Sequence, residues 1–183
     1  MASAATPAER YSTGAIWFHW IIAALIAFNI IVGIFHEGVP ALRALMPAHK
    51  AVGITVLVLT LGRIAWRLGH RPPPFSDEVT GWERTVAIAV RRVFYALLLL
   101  MPLSGWTMVS ASTHPRPLSW FGAFDVPLLP VAHAAGSPAS TTHAVLGYLF
   151  AALVLLHILG ALRHQIVLRD SVLARMIPGL RRG

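Results

Sequence analysis

The sequence predicts an all-α fold, a transmembrane four-helix bundle with both termini on the cytoplasmic side. Three observations predict it. Of 183 residues, 56% are hydrophobic and only 12% charged, against roughly 25% charged in ordinary soluble domains. Four apolar runs, at 16–35, 51–67, 93–111 and 144–162, approach the roughly 20 residues that cross a bilayer as a helix. Lysine and arginine are also distributed unequally between alternate loops.

The first run is too long and too far from the start for a cleaved signal, and no small-residue cleavage site follows it, so it is read as retained. The second is the shortest and extends through Arg67. Between the second and third runs, Pro72, Pro73 and Pro74 stop the helix, and Asp77, Glu78 and Glu83 keep the linker solvated. A longer loop, 112–142, carries Trp120, Phe121 and Phe124 among several prolines and is expected to lie across the outer mouth at headgroup level.

Charge sets the orientation, because cytoplasmic segments accumulate Lys and Arg near the ends of spans. Arg10, six arginines from Arg63 to Arg92, and five from Arg163 to Arg182 fall on one side; only Arg43, Lys50 and Arg116 fall on the other. Both termini and the middle linker are therefore placed inside. The formal charge of +8 is mostly a topology signal, with a rim that can touch anionic headgroups. Nucleic-acid binding is not indicated, since no basic stripe interleaves with a polar, stackable surface. The chain has no cysteine, which excludes disulfides, iron–sulfur clusters, thiolate zinc sites and covalently attached c-type haem.

Nine histidines remain, and an ionisable group at membrane depth is costly enough to be a functional candidate. His19 and His157 fall in the inner halves of the first and fourth spans, while His49 and His143 fall at the outer starts of the second and fourth. His143 and His157 are 14 residues apart, about 21 Å of helical rise on nearly one face. If the facing helices are neighbours, two bis-histidine sites result, at two depths. Two imidazoles leave zinc short of its usual four ligands, whereas haem iron, with four porphyrin nitrogens, needs two axial ligands. Gly14, Gly33, Gly53, Gly62, Gly105, Gly147 and Gly160 are places where a flat cofactor or another helix can approach closely. The competing reading is helix–helix hydrogen bonding by histidine and plain packing by glycine.

His36, His114 and His133 in outer segments and His70 in the linker read as ordinary solvated histidines. His164 lies two turns beyond His157, beside Arg163 at the inner mouth, where a quinone headgroup needs hydrogen-bond donors. Snorkelling to the headgroups is the other account of Arg163.

The stretches "YSTGAIWFHW", "HKAVGITVLVLTLGRIAWRL", "VFYALLLLMPLSGWTMVSAS", "LSWFGAFDVP" and "THAVLGYLFAALVLLHILGALRHQIVLRD", with the closing "LARMIPG", resemble the prokaryotic cytochrome b561 family, di-haem membrane cytochromes that include superoxide oxidase. The likeness covers nearly the whole chain and implies one integral membrane cytochrome b domain over 1–183 in the bacterial inner membrane. It implies two non-covalent b-type haems, the inner ligated by His19 and His157 and the outer by His49 and His143. It further implies oxidation of superoxide at the outer face and reduction of ubiquinone as substrate. The departure lies in the third span, where many members carry a histidine at the position of Arg91. The four other ligands suffice, so the haem count stands, and what the arginine alters is the inner-side polar chemistry, the propionate or quinone contacts, since an arginine can pair with a propionate bidentately.

Beside that resemblance, Arg43, Lys50 and Arg116 at the outer mouth are candidates for steering an anion. Two rivals stand. One is a cytochrome b membrane anchor that takes electrons from a dehydrogenase or hydrogenase partner, which would need a docking surface. The other is a haem-free transporter or scaffold whose histidines relay protons or metal ions, although the intramembrane acids such a path often uses are missing.

Overall fold

The computed structural model describes residues 10–75, 80–114, 117–177 and 179–180. Arg116, Asp77, Glu78, Arg181 and Arg182 lie outside the described residues. Four long helices dominate: α1 (Thr13–Phe35), α3 (Met46–Gly69), α4 (Gly81–Ser110) and α5 (Gly136–Arg163), with a single turn, α2 (Pro40–Arg43), between the first two. All four are long and apolar enough to cross a membrane. Their outward faces carry large exposed apolar side chains, such as Trp17 at 65% and Leu155 at 58%, which in water would be an aggregation surface and in lipid is ordinary.

Two helices begin well before their apolar runs. α4 starts at Gly81 rather than near 93 because the Glu83 carboxylate accepts from the Thr80 N–H at 3.1 Å and its hydroxyl at 2.8 Å; this reciprocal closure satisfies donors that the first helical turn leaves unpaired. α5 starts at Gly136, after a 3-10 turn at His133–Ala135, so the outer loop is shorter than its polar composition implies. There the His133 ring meets the Ala111 carbonyl at 3.0 Å and ties the start of α5 to the end of α4.

The helices pack in the order α1, α3, α4, α5, and α1 and α5 touch only sparsely. The mid-bundle core is Ile22, Val52, Val56, Leu97, Leu98 and Phe150. One end of the bundle, the basic end, joins the start of α1, the end of α3, the start of α4 and the chain after α5. The Trp66 indole donates to Ser12 Oγ at 3.1 Å, the Arg163 guanidinium pairs with Glu83 at 3.2 Å, Arg175 donates to the Pro74 carbonyl at 2.6 Å, and the Trp20 indole donates to the Met176 carbonyl at 2.9 Å.

The opposite end is covered by a small hairpin, β1 (Ser119–Trp120) and β2 (Phe124–Asp125). Its turn places Phe121 and Gly122 at φ of 50° and 79°, a left-handed pair that glycine makes affordable at the second position. The Trp120 indole reaches down to donate to Thr55 Oγ1 at 3.0 Å, and the Trp106 indole donates to the Pro127 carbonyl at 3.0 Å. The aromatic loop therefore does lie across this mouth, with Phe121 and Phe124 turned outward.

Candidate functional site

The bundle brings the span histidines together in two pairs, His19 of α1 with His157 of α5 and His49 of α3 with His143 of α5. The His19 and His157 ring centres are 6.3 Å apart, and those of His49 and His143 are 6.2 Å apart, each pair inclined at more than 70°. Two imidazoles bound to one metal from opposite sides, at about 2.0–2.1 Å per bond, have ring centres about 6 Å apart. Both pairs have that spacing. Among the described residues no group of three or more His, Cys, Asp or Glu is placed to hold a bare ion, so the pairs suit a centre that brings its other ligands with it.

The surroundings of the rings fit the same demand. At the hairpin-end pair, a Cβ on Gly105 would stand 3.0 Å from His143 Cε1, and one on Gly33 would stand 3.1 Å from His49 Cε1. Each ring thus lies in a recess that only glycine leaves open. His143 Nδ1 is 3.1 Å from the Met101 carbonyl, which can only accept, so this nitrogen carries the proton and Nε2 keeps its lone pair. Ser104 Oγ donates to the same carbonyl at 2.8 Å and stands 3.1 Å from Nδ1, holding the ring in place. This is the outer-shell support that fixes a ligating imidazole. At the basic-end pair, neither His19 nor His157 makes a hydrogen bond among the described residues, and His157 is exposed where His19 is half-buried. Phe94 lies edge-on to His157 at 5.3 Å and contacts Phe150 at 5.8 Å. Phe150 is seven residues from each α5 histidine, so an apolar septum separates the two levels.

The sequence profile of the prokaryotic cytochrome b561 family matches residues 10–179. The chain belongs to this family. It is 29% identical to cytochrome b561 homolog 2 of Escherichia coli (strain K12) over 92% of both chains. It is 33% identical to cytochrome b562 of Cereibacter sphaeroides over 94% of this chain and 98% of the relative. To the probable superoxide oxidase CybB of Yersinia pestis it is 29% identical, over 93% of this chain and 97% of the relative. Membership in the cytochrome b561 family, with four helices of spanning length, makes the chain a multi-pass membrane oxidoreductase of electron transport that carries b-type haem.

In this b561 family member the remaining candidates are distributed as follows. His164 sits in a π-helical turn, His164–Leu168, and its Nδ1 pairs with Asp170 Oδ2. Asp170 also accepts from the Val172 N–H at 3.0 Å. Nothing in an exposed-looking "LRDS" stretch singled this acid out; its role comes from the left-handed Arg169, φ 52°, which turns the chain back on the helix end. A cleft of about 450 Å³ opens on the Asp170 side of the pair, lined by Thr80, Trp82, Glu83, Arg163, Arg169 and Asp170 but not by His164.

Arg91 does not approach the histidines. Its guanidinium lies 5.7 Å from the centre of the Phe75 ring, which Arg84 also meets at 5.1 Å. At the hairpin end, Arg43 donates to the Glu37 and His36 carbonyls at 2.6 and 3.4 Å, and Lys50 directly follows His49 on α3. Of the other histidines, His36 meets the Gly33 carbonyl at 2.9 Å, His114 meets Thr113, and His70 stacks on Trp66 at 3.9 Å, all of them local contacts.

Proposed function

We propose that this protein is a di-haem electron carrier that oxidises superoxide at the hairpin end and reduces ubiquinone at the basic end. The observation that carries the reading is the pair of two-histidine sites at two depths, with ring centres 6.3 and 6.2 Å apart. His19 with His157, and His49 with His143, would each hold one b-type haem. Such a group would supply a one-electron redox centre. The balance is two superoxide anions giving two dioxygen molecules, and one quinone taking two electrons and two protons to become quinol. The likeness to a probable superoxide oxidase supports the choice of donor.

The whole chain acts as one unit in the inner membrane, with both termini cytoplasmic; the crowd of arginines at the basic end supports that orientation. A visible spectrum of the purified protein, oxidised and dithionite-reduced, tests the reading. Two low-spin b haems per chain are expected. None would overturn it.

At the basic end, the cleft lined by Arg163 and Asp170 takes the quinone headgroup, and His164 acts there through its pair with Asp170. His164→Ala is expected to keep both haems and to slow quinone reduction about tenfold, the equivalent of a charge-assisted hydrogen bond of about 1.5 kcal/mol. Haem reduction by superoxide stays normal in this variant. Loss of a haem would instead move His164 to the ligand set.

At the hairpin end, Arg43 and Lys50, together with Arg116 from the sequence of the loop that follows α4, raise the local concentration of a small anion. Exposed charges are screened beyond a Debye length of about 8 Å at 0.15 M salt. Stopped-flow reduction by superoxide is therefore expected to slow as salt rises, and Lys50→Gln to lower both the low-salt rate and its salt dependence. A rate indifferent to salt and to this change would remove the steering role.

A further inference from the structure

A second polar cluster at the basic end has no part in the sites above. Arg63 and Arg67 on α3 lie over the same ring, that of Tyr95 on α4, at 5.7 and 6.0 Å from its centre. Arg163–Glu83 and His164–Asp170 are ion pairs at this end that involve neither arginine. Neither Arg63 nor Arg67 donates a hydrogen bond to any described residue. Two half-buried guanidiniums thus meet one aromatic ring with no counter-charge among the described residues. Like charges held so close away from bulk water are unfavourable, and a guanidinium fork is shaped for an oxyanion.

Both arginines line a cleft between α1, α3 and α4 with about 30 Å³ of open space, room for about two water-sized groups. Two oxygens of a carboxylate need no more. Depth narrows the choice of oxyanion. Gly62, the residue before Arg63, packs on Phe18, the residue before His19; a Cβ there would stand 3.4 Å from the Phe18 ring. Arg63 is therefore level with the His19–His157 pair, and Arg67 lies one turn nearer the basic end. A headgroup phosphate at the membrane surface is well placed for Arg71 at the cleft rim, but Arg63 is two turns deeper in sequence.

We propose that Arg63 and Arg67, braced by Tyr95, form a carboxylate site for a propionate arm of the haem held by His19 and His157. The proposal rests on the di-haem reading and assigns the basic-end haem an orientation with a propionate toward α3 and α4. It gives these arginines a role beyond topology, because a cation paired to the propionate stabilises the electron-rich, reduced form of that centre.

The test is a spectroelectrochemical titration of the purified holoprotein in phosphatidylcholine nanodiscs, repeated in discs containing phosphatidylglycerol. The variants are Arg63→Gln, Arg67→Gln, Arg63→Lys, and Arg84→Gln as a control outside the cleft. In Arg63→Gln, one of the two midpoints is expected to fall, with the reduced-to-oxidised ratio at fixed potential dropping about tenfold, about 59 mV for one electron. The wave that moves is the one lost in His157→Ala. Arg67→Gln moves the same wave, Arg63→Lys restores most of the shift, and the control leaves both waves in place.

The drop is expected in both lipids. Two unmoved waves in phosphatidylcholine overturn the proposal while leaving the di-haem reading intact, and a shift seen only with phosphatidylglycerol overturns it in favour of a lipid phosphate. A protein with no haem by pyridine haemochrome overturns both readings together.

Discussion

Replacing His143 by alanine is expected to lower the haem content from two per chain to one, measured by pyridine haemochrome against protein concentration. The remaining haem should keep the spectrum of the basic-end site, because His19 and His157 share no ligand with the lost centre. His157→Ala is expected to give the mirror image, a chain retaining only the hairpin-end haem. The effect would be large because a haem held between the two imidazoles would lose one of them, and no neighbouring side chain is placed to replace it. Around His143 the groups within reach are the Met101 carbonyl and the Ser104 hydroxyl, both engaged with the ring's other nitrogen or with each other. Full retention of two haems in His143→Ala would discard the ligand assignment. Loss of both haems in each variant would instead show that the two levels fold as one unit, contrary to the septum formed around Phe150.

Gly105→Val is expected to act almost as strongly without touching a ligand. A methyl group at this position already stands 3.0 Å from His143 Cε1, closer than carbon atoms pack, and valine adds two more that cannot rotate away on a helix. The ring must swing off the Met101 carbonyl, losing the contact that fixes its tautomer, and the hairpin-end haem should be lost or bound with a displaced axial ligand. Gly105→Ala should give a milder version, a shifted spectrum with partial haem loss. Gly160→Ala is the matched control, since nothing lies within 4 Å of a Cβ there and alanine is the better helix former. A Gly105→Val protein with two haems of unchanged spectrum would mean that α4 and α5 separate easily, and the recess would then have no role in placing the histidine.

The spans were legible because hydropathy is a sum over about 20 residues and survives local exceptions. The pairing of His19 with His157 and His49 with His143 followed from it, since antiparallel helices of known direction put residues at matching depths. Helix starts were less legible. The capping of α4 by Thr80 and Glu83 lies in a polar stretch that reads as linker, and the first two turns of α5, "GSPASTT", have the composition of a loop. What a side chain touches across the bundle left still less trace. Ser104 looks like any serine next to a helix proline, yet it stands on the His143 ring. Arg63 and Arg67 look like topology signals, and only their convergence on Tyr95 separates them from Arg84 and Arg91, which rest on Phe75.

The stitching of the basic end has a consequence for how the protein is made. The Arg175 side chain reaches the Pro74 carbonyl, the Arg175 carbonyl accepts from the Tyr11 N–H, and the Met176 carbonyl accepts from the Trp20 indole. These contacts tie Tyr11 and Trp20 at the start of α1, and Pro74 after α3, to Arg175 and Met176 beyond α5. During synthesis, α1 and α3 are therefore made well before the residues that fasten their ends. Until those residues have folded back, the bundle between α1 and α5 rests on the sparse contacts of the two helices themselves.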